Sequence, residues 1–264
     1  MTEAFEDLNF LMASPNRLDV LQAVAARPRD KDELVETVGS SPVTIARIID
    51  DFVERNWIEY RDGTYSTTMF GELIAEDASR LEQSVDIAYR CRPVAQYCRP
   101  EEIDFDPRLL EYTTMSVGPE DTAFDHVDRW AELFRRTDEF QGITGHIPAT
   151  IMQVFTEEIS TGGMDVEGIF PTSLVENIML DPEKRKAAME MIDAGARLYQ
   201  DEHEWDIAIG IYDGDAMSFV GFDTHGSPRF KIESDHDELV TWAIDRFEGA
   251  RARSTPIEVE LPEQ

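Results

Sequence analysis

The sequence predicts two units of mixed helix and strand: a compact α+β module, then an α/β unit built on a mixed sheet. Two observations predict this. Between Ser14 and Thr67 three runs of helical periodicity are separated by cap residues and close on an Asp-Gly hairpin signal. Beyond residue 109, short apolar strand-like runs alternate with helical segments and end in a meander. A length of 264 residues fits two domains on a prior of about 150 residues each.

The first unit, residues 1–88, reads in order. Ser14-Pro15 is a cap and first turn, followed by Leu18, Leu21, Val24 and Ala25 at helical spacing. Asp30 and Glu33 have the spacing of a capping box, and Leu34, Val35 and Val38 form the inward face of a second helix that Gly39 ends. Ser41-Pro42 opens a third, with Ile45, Ile49, Phe52 and Val53 on one face and Thr44 and Arg47 on the other. Trp57 to Tyr60 and Thr64 to Thr67 are strands joined through Arg61-Asp62-Gly63. Thr68 caps a fourth helix to about Tyr89, with Phe70, Leu73, Ile74, Leu81 and Val85 apolar. A helix with one polar exposed face, followed at once by a hairpin, is the pattern of a winged helix-turn-helix. The residues expected to meet DNA are Ser41, Pro42, Val43, Thr44 and Arg47 on the helix and Arg61 and Gly63 on the hairpin, with Arg17 and Arg55 as weaker phosphate contacts.

Residues 89–108 read as a connector holding both cysteines, Cys91 and Cys98, each inside a Cys-Arg-Pro. Flanking arginines lower a thiol pKa, so the pair is a candidate redox switch, or else two reduced structural thiols. In the second unit, residues 109–253, helices are expected over Asp125 to Arg136, Pro148 to Ile159, Pro171 to Leu180, Pro182 to Gly195 and Asp235 to Arg253. Strands are expected over Phe140 to Thr144, Met164 to Phe170, Arg197 to Tyr199, Ile207 to Tyr212, Ala216 to Phe222 and Arg229 to Ile232, with turns at Gly162-Gly163, Asp213-Gly214 and His225-Gly226. Strands ending at Thr144 and Phe170 each run into a helix start. If they are neighbours, His146, Thr172 and Ser173 converge on a small anionic effector; the alternative is that the two hydroxyls only cap their helix. Residues 254–264, rich in Pro and Glu, read as a mobile tail.

Ser14-Pro15-x-Arg17, the Ser41 to Arg47 segment and Thr68-x-x-Gly71 make the first 90 residues resemble the winged-helix regulators of archaea and bacteria. Gly142 to Pro148, Val166 to Ser173, Ile209 to Asp213, Gly221 to Asp223 and Trp242 to Phe247 make residues 109–252 resemble the C-terminal regulatory domain of archaeal regulators of the FilR type. What the resemblance implies is a transcription regulator that reads double-stranded DNA and whose second domain senses a signal or dimerises.

The net charge of −31 complicates a DNA partner. Residues 1–88 hold 8 Lys+Arg against 18 Asp+Glu, and residues 89–264 hold 16 against 37. Only Lys31, Lys184, Lys186 and Lys231 are lysines. Acid excess with few lysines resembles the proteins of salt-in haloarchaea. A disordered acidic chain is excluded by 42% hydrophobic residues in clear periodicity. In molar salt the Debye length falls to about 3 Å, so an acidic surface repels DNA far less.

Catalysis has little support. There is no Gly-rich phosphate loop after a strand, no G-x-S-x-G, no H-E-x-x-H, and no His followed two residues later by Lys, as phosphodiesterases of the His-Lys-Asp type require. His203-Glu204 with Asp206 reads as a solvated strand edge rather than a metal site, and no cofactor or metal is expected. No run of about 18 apolar residues is present, so no membrane span is expected. The acidic start, without a signal-peptide pattern, points to the cytoplasm. The expectation is a homodimeric, salt-adapted DNA-binding regulator, with Met69 to Tyr89 as its dimer helix. The alternatives are a protein-interaction adaptor or an enzyme with an unrecognised site.

Overall fold

The computed structural model describes residues 2–117, 133–147, 149–161 and 164–257. The chain divides into two compact units, Met1–Ala88 and Tyr89–Gln264.

The first unit opens with a helix that periodicity before Ser14 did not announce, α1 (Glu3–Met12). Then come α2 (Pro15–Ala26), α3 (Lys31–Val38), α4 (Pro42–Glu54), the hairpin β1 (Ile58–Arg61) and β2 (Thr64–Thr67), and α5 (Met69–Arg90), which runs across the boundary. Local chemistry explains the joints. Asp30 and Glu33 form the expected capping box, and the N–H···O bond from Glu33 to Asp30 is 2.8 Å. The Arg27 guanidinium, with the Asp30 backbone, holds the Glu33 carboxyl below its usual range. Gly39 takes φ +69° to end α3. Ser14 supplies no side-chain cap, so Pro15 alone marks the start of α2. The α4 core face is Ile45, Ile48, Ile49 and Phe52; Val53 is exposed, because the helical repeat selects Ile48 instead. At its end Asn56 turns left-handed (φ 54°), and N–H groups of Asn56 and Trp57 bond to the carbonyls of Val53 and Phe52. That cap drives Trp57 into the core, 5.4 Å from the Phe52 ring.

β1 and β2 pair antiparallel with Arg61 opposite Thr64, so the turn is the two residues Asp62 (φ 51°) and Gly63 (φ 89°). Two successive positive φ values are those of a type I′ turn, which Asp-Gly favours. Tyr65 also bridges to Arg29 between α2 and α3, tying the hairpin to the helices. Thr68 caps α5 through its hydroxyl, which accepts from the Gly71 N–H at 3.1 Å. Gly71 is obligatory, since a Cβ there would lie 1.8 Å from the Trp57 carbonyl oxygen.

The second unit contains α6 (Arg92–Tyr97), 3-10 turns at Pro100–Glu102 and Pro107–Tyr112, and strands β3 (Thr114–Val117) and β4 (Glu139–Thr144). It continues with α7 (Ala149–Ser160), β5 (Asp165–Pro171), α8 (Thr172–Leu180), α9 (Pro182–Asp193), β6 (Arg197–Asp201), β7 (Ile207–Tyr212), β8 (Ala216–Phe222), β9 (Pro228–Ser234), α10 (Asp237–Arg251) and β10 (Thr255–Pro256). The eight-stranded sheet has the order β10-β6-β5-β4-β7-β8-β9-β3. Only β4–β5 and β5–β6 are parallel, which makes it the mixed sheet expected. The helix expected over Asp125 to Arg136 lies outside the described residues except at its end, as does the Gly162-Gly163 turn.

The period-2 alternation of the strands assigns the two faces. Val166, Phe170, Leu198, Tyr212, Val220 and Phe222 pack with Phe155 of α7, Val175 of α8 and Met191 of α9. On the other face Phe219 meets Trp242 of α10 at 6.0 Å, and the Tyr199 ring receives the Arg251 guanidinium at 3.4 Å.

Two sequence expectations are corrected, and one strand had not been expected. Residues 89–108 are not a loose connector: α6 packs on β8 and β9, Phe105 stacks edge-on to Trp242 at 4.9 Å, and the Trp242 indole N–H donates to Asp104 at 2.6 Å. The tail is not free at its start, because Thr255 and Pro256 pair with Gln200 and Tyr199 as an edge strand, and Ile257 packs on the core; residues 258–264 lie outside the described residues. β3 was unforeseen, since Thr-Met-Ser-Val has too little alternation to announce a strand; it completes the sheet by pairing with β9.

Candidate functional site

In the first unit the α4 N-terminus and the hairpin present the expected residues. The Ser41 hydroxyl accepts from the Thr44 N–H at 3.1 Å and lies 2.9 Å from the Thr44 hydroxyl, so both are committed to the cap. Pro42 takes the first helical position and is exposed. Val43 is 80% exposed. Arg47 is exposed one turn on, and no ion pair to a described residue restrains it. Arg61 projects from the hairpin and is paired with Glu59 at 2.9 Å, an exposed contact that a phosphate can displace. Gly63 provides the tight turn and leaves open space around it.

Arg17 and Arg55 do not belong to this surface. Their guanidiniums lie 3.9 and 3.8 Å from the Phe10 ring centroid on α1. Arg17 also donates to the Phe10 carbonyl, and Arg55 to Asp7 at 3.0 Å. They hold α1 in place, which the sequence reading, without α1, had no means to see. Acidic Asp50 and Glu54 occupy the same exposed side of α4 as Arg47.

α5 carries a second feature. Gly71, Ala75 and Ala78 face the first unit's core, while Phe70 (62% exposed), Leu73 (55%), Leu81 (45%) and Val85 (60%) face away from it. Helical spacing puts these four on one stripe.

In the second unit β4 and β5 are neighbours as expected, but the three proposed anion ligands do not converge. The Thr172 hydroxyl donates to the Asp201 carbonyl at 3.2 Å, and that of Ser173 to the Glu204 carboxylate at 2.8 Å. Neither caps its helix, and a carboxylate already occupies the donor an anion would need. His146 turns instead toward Phe222, with ring centroids 5.1 Å apart. Of the two readings of the cysteines, the redox switch fails and two reduced thiols remain. Both cysteines are free thiols; Cys91 is buried, and burial, with Glu102 and Asp206 nearby, pushes the Cys98 thiol up to about 12. Arg99, the cation expected to activate it, is taken by Glu102 at 3.1 Å and Asp206 at 3.1 Å. Iodoacetamide at neutral pH should therefore leave Cys98 unmodified in the folded protein while labelling it fully in denaturant. Fast labelling of the native protein at Cys98 would restore the redox reading.

The sequence reading also missed a cavity of about 80 Å³ between the sheet and α7. Its floor is a row of glycines in register, with Gly142 opposite Gly168 on one side and Gly210 on the other. The signal was present: Gly-Ile-Thr, Gly-Ile-Phe and Gly-Ile-Tyr recur at the same phase of three strands.

Residues 5–90 match the family model of the HVO_A0261 N-terminal domain. Residues 123–253 match that of the methanogenesis regulatory protein FilR1, middle domain. The two matches support an archaeal transcription regulator. Among solved structures, the regulator is similar to the archaeal chromatin protein TrmBL2, at 9% identity and TM-score 0.43 over 92% of this chain and 94% of that one. It is also similar to Nuc, a phospholipase D family member of Salmonella typhimurium, at 11% identity and TM-score 0.44 over 56% of this chain and 98% of that one. Likenesses at this level assign it no activity. No curated protein matches the regulator by sequence. Among the described residues no helix is long and apolar enough to cross a membrane.

Proposed function

We propose that this regulator binds double-stranded DNA as a homodimer in concentrated salt, with α4 as recognition helix and the β1–β2 hairpin as wing. One observation carries the reading: Arg47 and Val43 stand exposed on a capped helix N-terminus beside a tight hairpin, while the neighbouring Arg17 and Arg55 are consumed inside the unit. A group left free where its neighbours are committed is available to a base edge. The second unit senses a signal or dimerises, and it carries no His-x-Lys pair of the phosphodiesterase type in its sequence. A cytoplasmic location follows from the DNA partner.

A gel shift in molar KCl on the gene's own upstream DNA tests the reading. Arg47→Ala should lose specific binding with an unchanged unfolding temperature, because a bidentate Arg–guanine contact contributes about 1–3 kcal/mol of discrimination. Equal operator affinity of variant and parent at matched salt would remove Arg47 from the reading set. Asp50, Glu54, Glu59 and Asp62 on or beside the same surface favour one second reading, an adaptor that docks a basic protein. Absence of any shift for the parent protein across salt concentrations would select it.

A further inference from the structure

We propose that the glycine-floored cavity of the second unit binds a small, uncharged, mostly apolar molecule carrying one hydrogen-bond acceptor. The glycines are the first reason. Side chains at Gly142, Gly168 and Gly210 would fill the middle of this sheet face: a Cβ on Gly142 would lie 2.8 Å from the Phe140 ring, and one on Gly168 3.0 Å from Phe170. Their absence lets those rings lie against the sheet and still leaves about 80 Å³ open. An apolar cavity of about 150 Å³ stays dry and takes up benzene, so this one, about half that size, takes a short chain as it stands and a single small ring once its walls give way.

Charge is the second reason. Among the described residues no Lys, Arg, Asp or Glu lines the space; its walls are mostly apolar, such as Phe134, Phe155, Val166, Leu198 and Phe222, with Thr144 and His146 as further polar members. An ion entering it would lose its hydration and meet no Lys, Arg or carboxylate among them.

The third reason is one oriented donor. The hydroxyls of Tyr212 and Ser218, both lining the cavity, lie 2.9 Å apart and are buried. Two hydroxyls hold two hydrogens, and their mutual bond uses one. The other has no acceptor among the described residues, so a ligand oxygen can accept it. Burial pushes the Tyr212 phenol far up, which keeps it protonated as that donor requires.

That such a ligand acts as an effector rests on the regulator reading; binding itself does not, and is measured without DNA. Failure of the gel shift and failure of uptake are thus separate results. Full-length protein in molar KCl is titrated with toluene, phenol and benzoate and followed by ligand-observed NMR. Toluene and phenol should bind saturably, and benzoate at least about tenfold more weakly. Tyr212→Phe combined with Ser218→Ala, which removes both hydroxyl donors, should weaken phenol by about tenfold, one hydrogen bond's worth, and spare toluene. Ala208→Leu, which projects into the space, should abolish both. Val220→Phe fills it from the adjacent strand and serves if Ala208→Leu does not fold. Benzoate binding as tightly as phenol, no saturable uptake of either neutral probe, or uptake unaffected by a folded filling variant would each overturn the proposal.

Discussion

Leu81→Asp should leave the protein monomeric and lower its operator affinity by about 10²- to 10⁴-fold, the gain that linking two half-site readers provides. One recognition helix covers only a half-site, so a symmetric pair is needed to read two half-sites about one turn of DNA apart. α5 follows the hairpin directly and shows Phe70, Leu73, Leu81 and Val85 on one exposed stripe. A second copy packing there would bury apolar surface worth about 25 cal/mol per Å². An aspartate in the middle of that contact would be buried without a partner. Because Leu81 is 45% exposed within one chain, the variant should keep its helical circular dichroism and its monomer stability. Light scattering at micromolar concentration decides the matter. A variant that remains a dimer would move the interface off α5.

The second large effect is on stability. Thermal unfolding should shift upward by many degrees between dilute buffer and molar KCl. The chain sets 55 carboxylates against 24 cationic side chains, and that self-repulsion opposes the compact state until salt screens it. Local ion pairs do not compensate. Many are exposed, such as Arg27–Glu33, Arg61–Glu59 and Lys186–Glu190, and pairs of that kind contribute about 0–1 kcal/mol. Mild acidification in dilute buffer should act in the same direction as salt, by protonating unpaired carboxylates. Some groups resist it. Asp223 is held below its usual range by the Ser227 and His225 N–H groups and by Arg229, and Glu33 by Arg27 and the Asp30 backbone. A depressed carboxylate contributes stability above its unfolded pKa and loses it as pH falls through the folded one, so these losses come only below the stabilising window. An unfolding temperature that is flat in salt would mean the acidic surface is not a destabilising load. DNA affinity should also have a shallow salt dependence. With only Arg47, Arg61 and one or two others in contact with DNA, log affinity falls by about 0.9 per phosphate neutralised against log salt. A slope near −8 would reveal a basic surface assembled in the dimer.

The local signals in the sequence proved sufficient for the elements that carry their own punctuation. The Asp30–Glu33 box, Ser41-Pro42, Asp62-Gly63 and Thr68 each satisfy backbone groups within three residues, so their geometry follows from neighbours in the chain. The same is true of the strands β4 to β8, whose apolar runs are long enough to read, and of the exposure of Arg47, which follows from helical phase.

What the tertiary structure alone decided are the partnerships between distant residues. Arg17 and Arg55 look like phosphate ligands until α1 brings Phe10 between them. Cys98 looks activated until Glu102 and Asp206 claim its arginine. Thr172 and Ser173 look like anion ligands until the end of β6 and the loop after it bring Asp201 and Glu204 to them. The three glycines look like ordinary strand breaks until strand order and register align them. The sequence by itself determined the two units, most of their elements, the acid surface and the exposed face of α4, because those depend on local periodicity and composition. The fate of each polar side chain, and the cavity, depended on which strands and helices became neighbours, and no spacing along the chain encodes that.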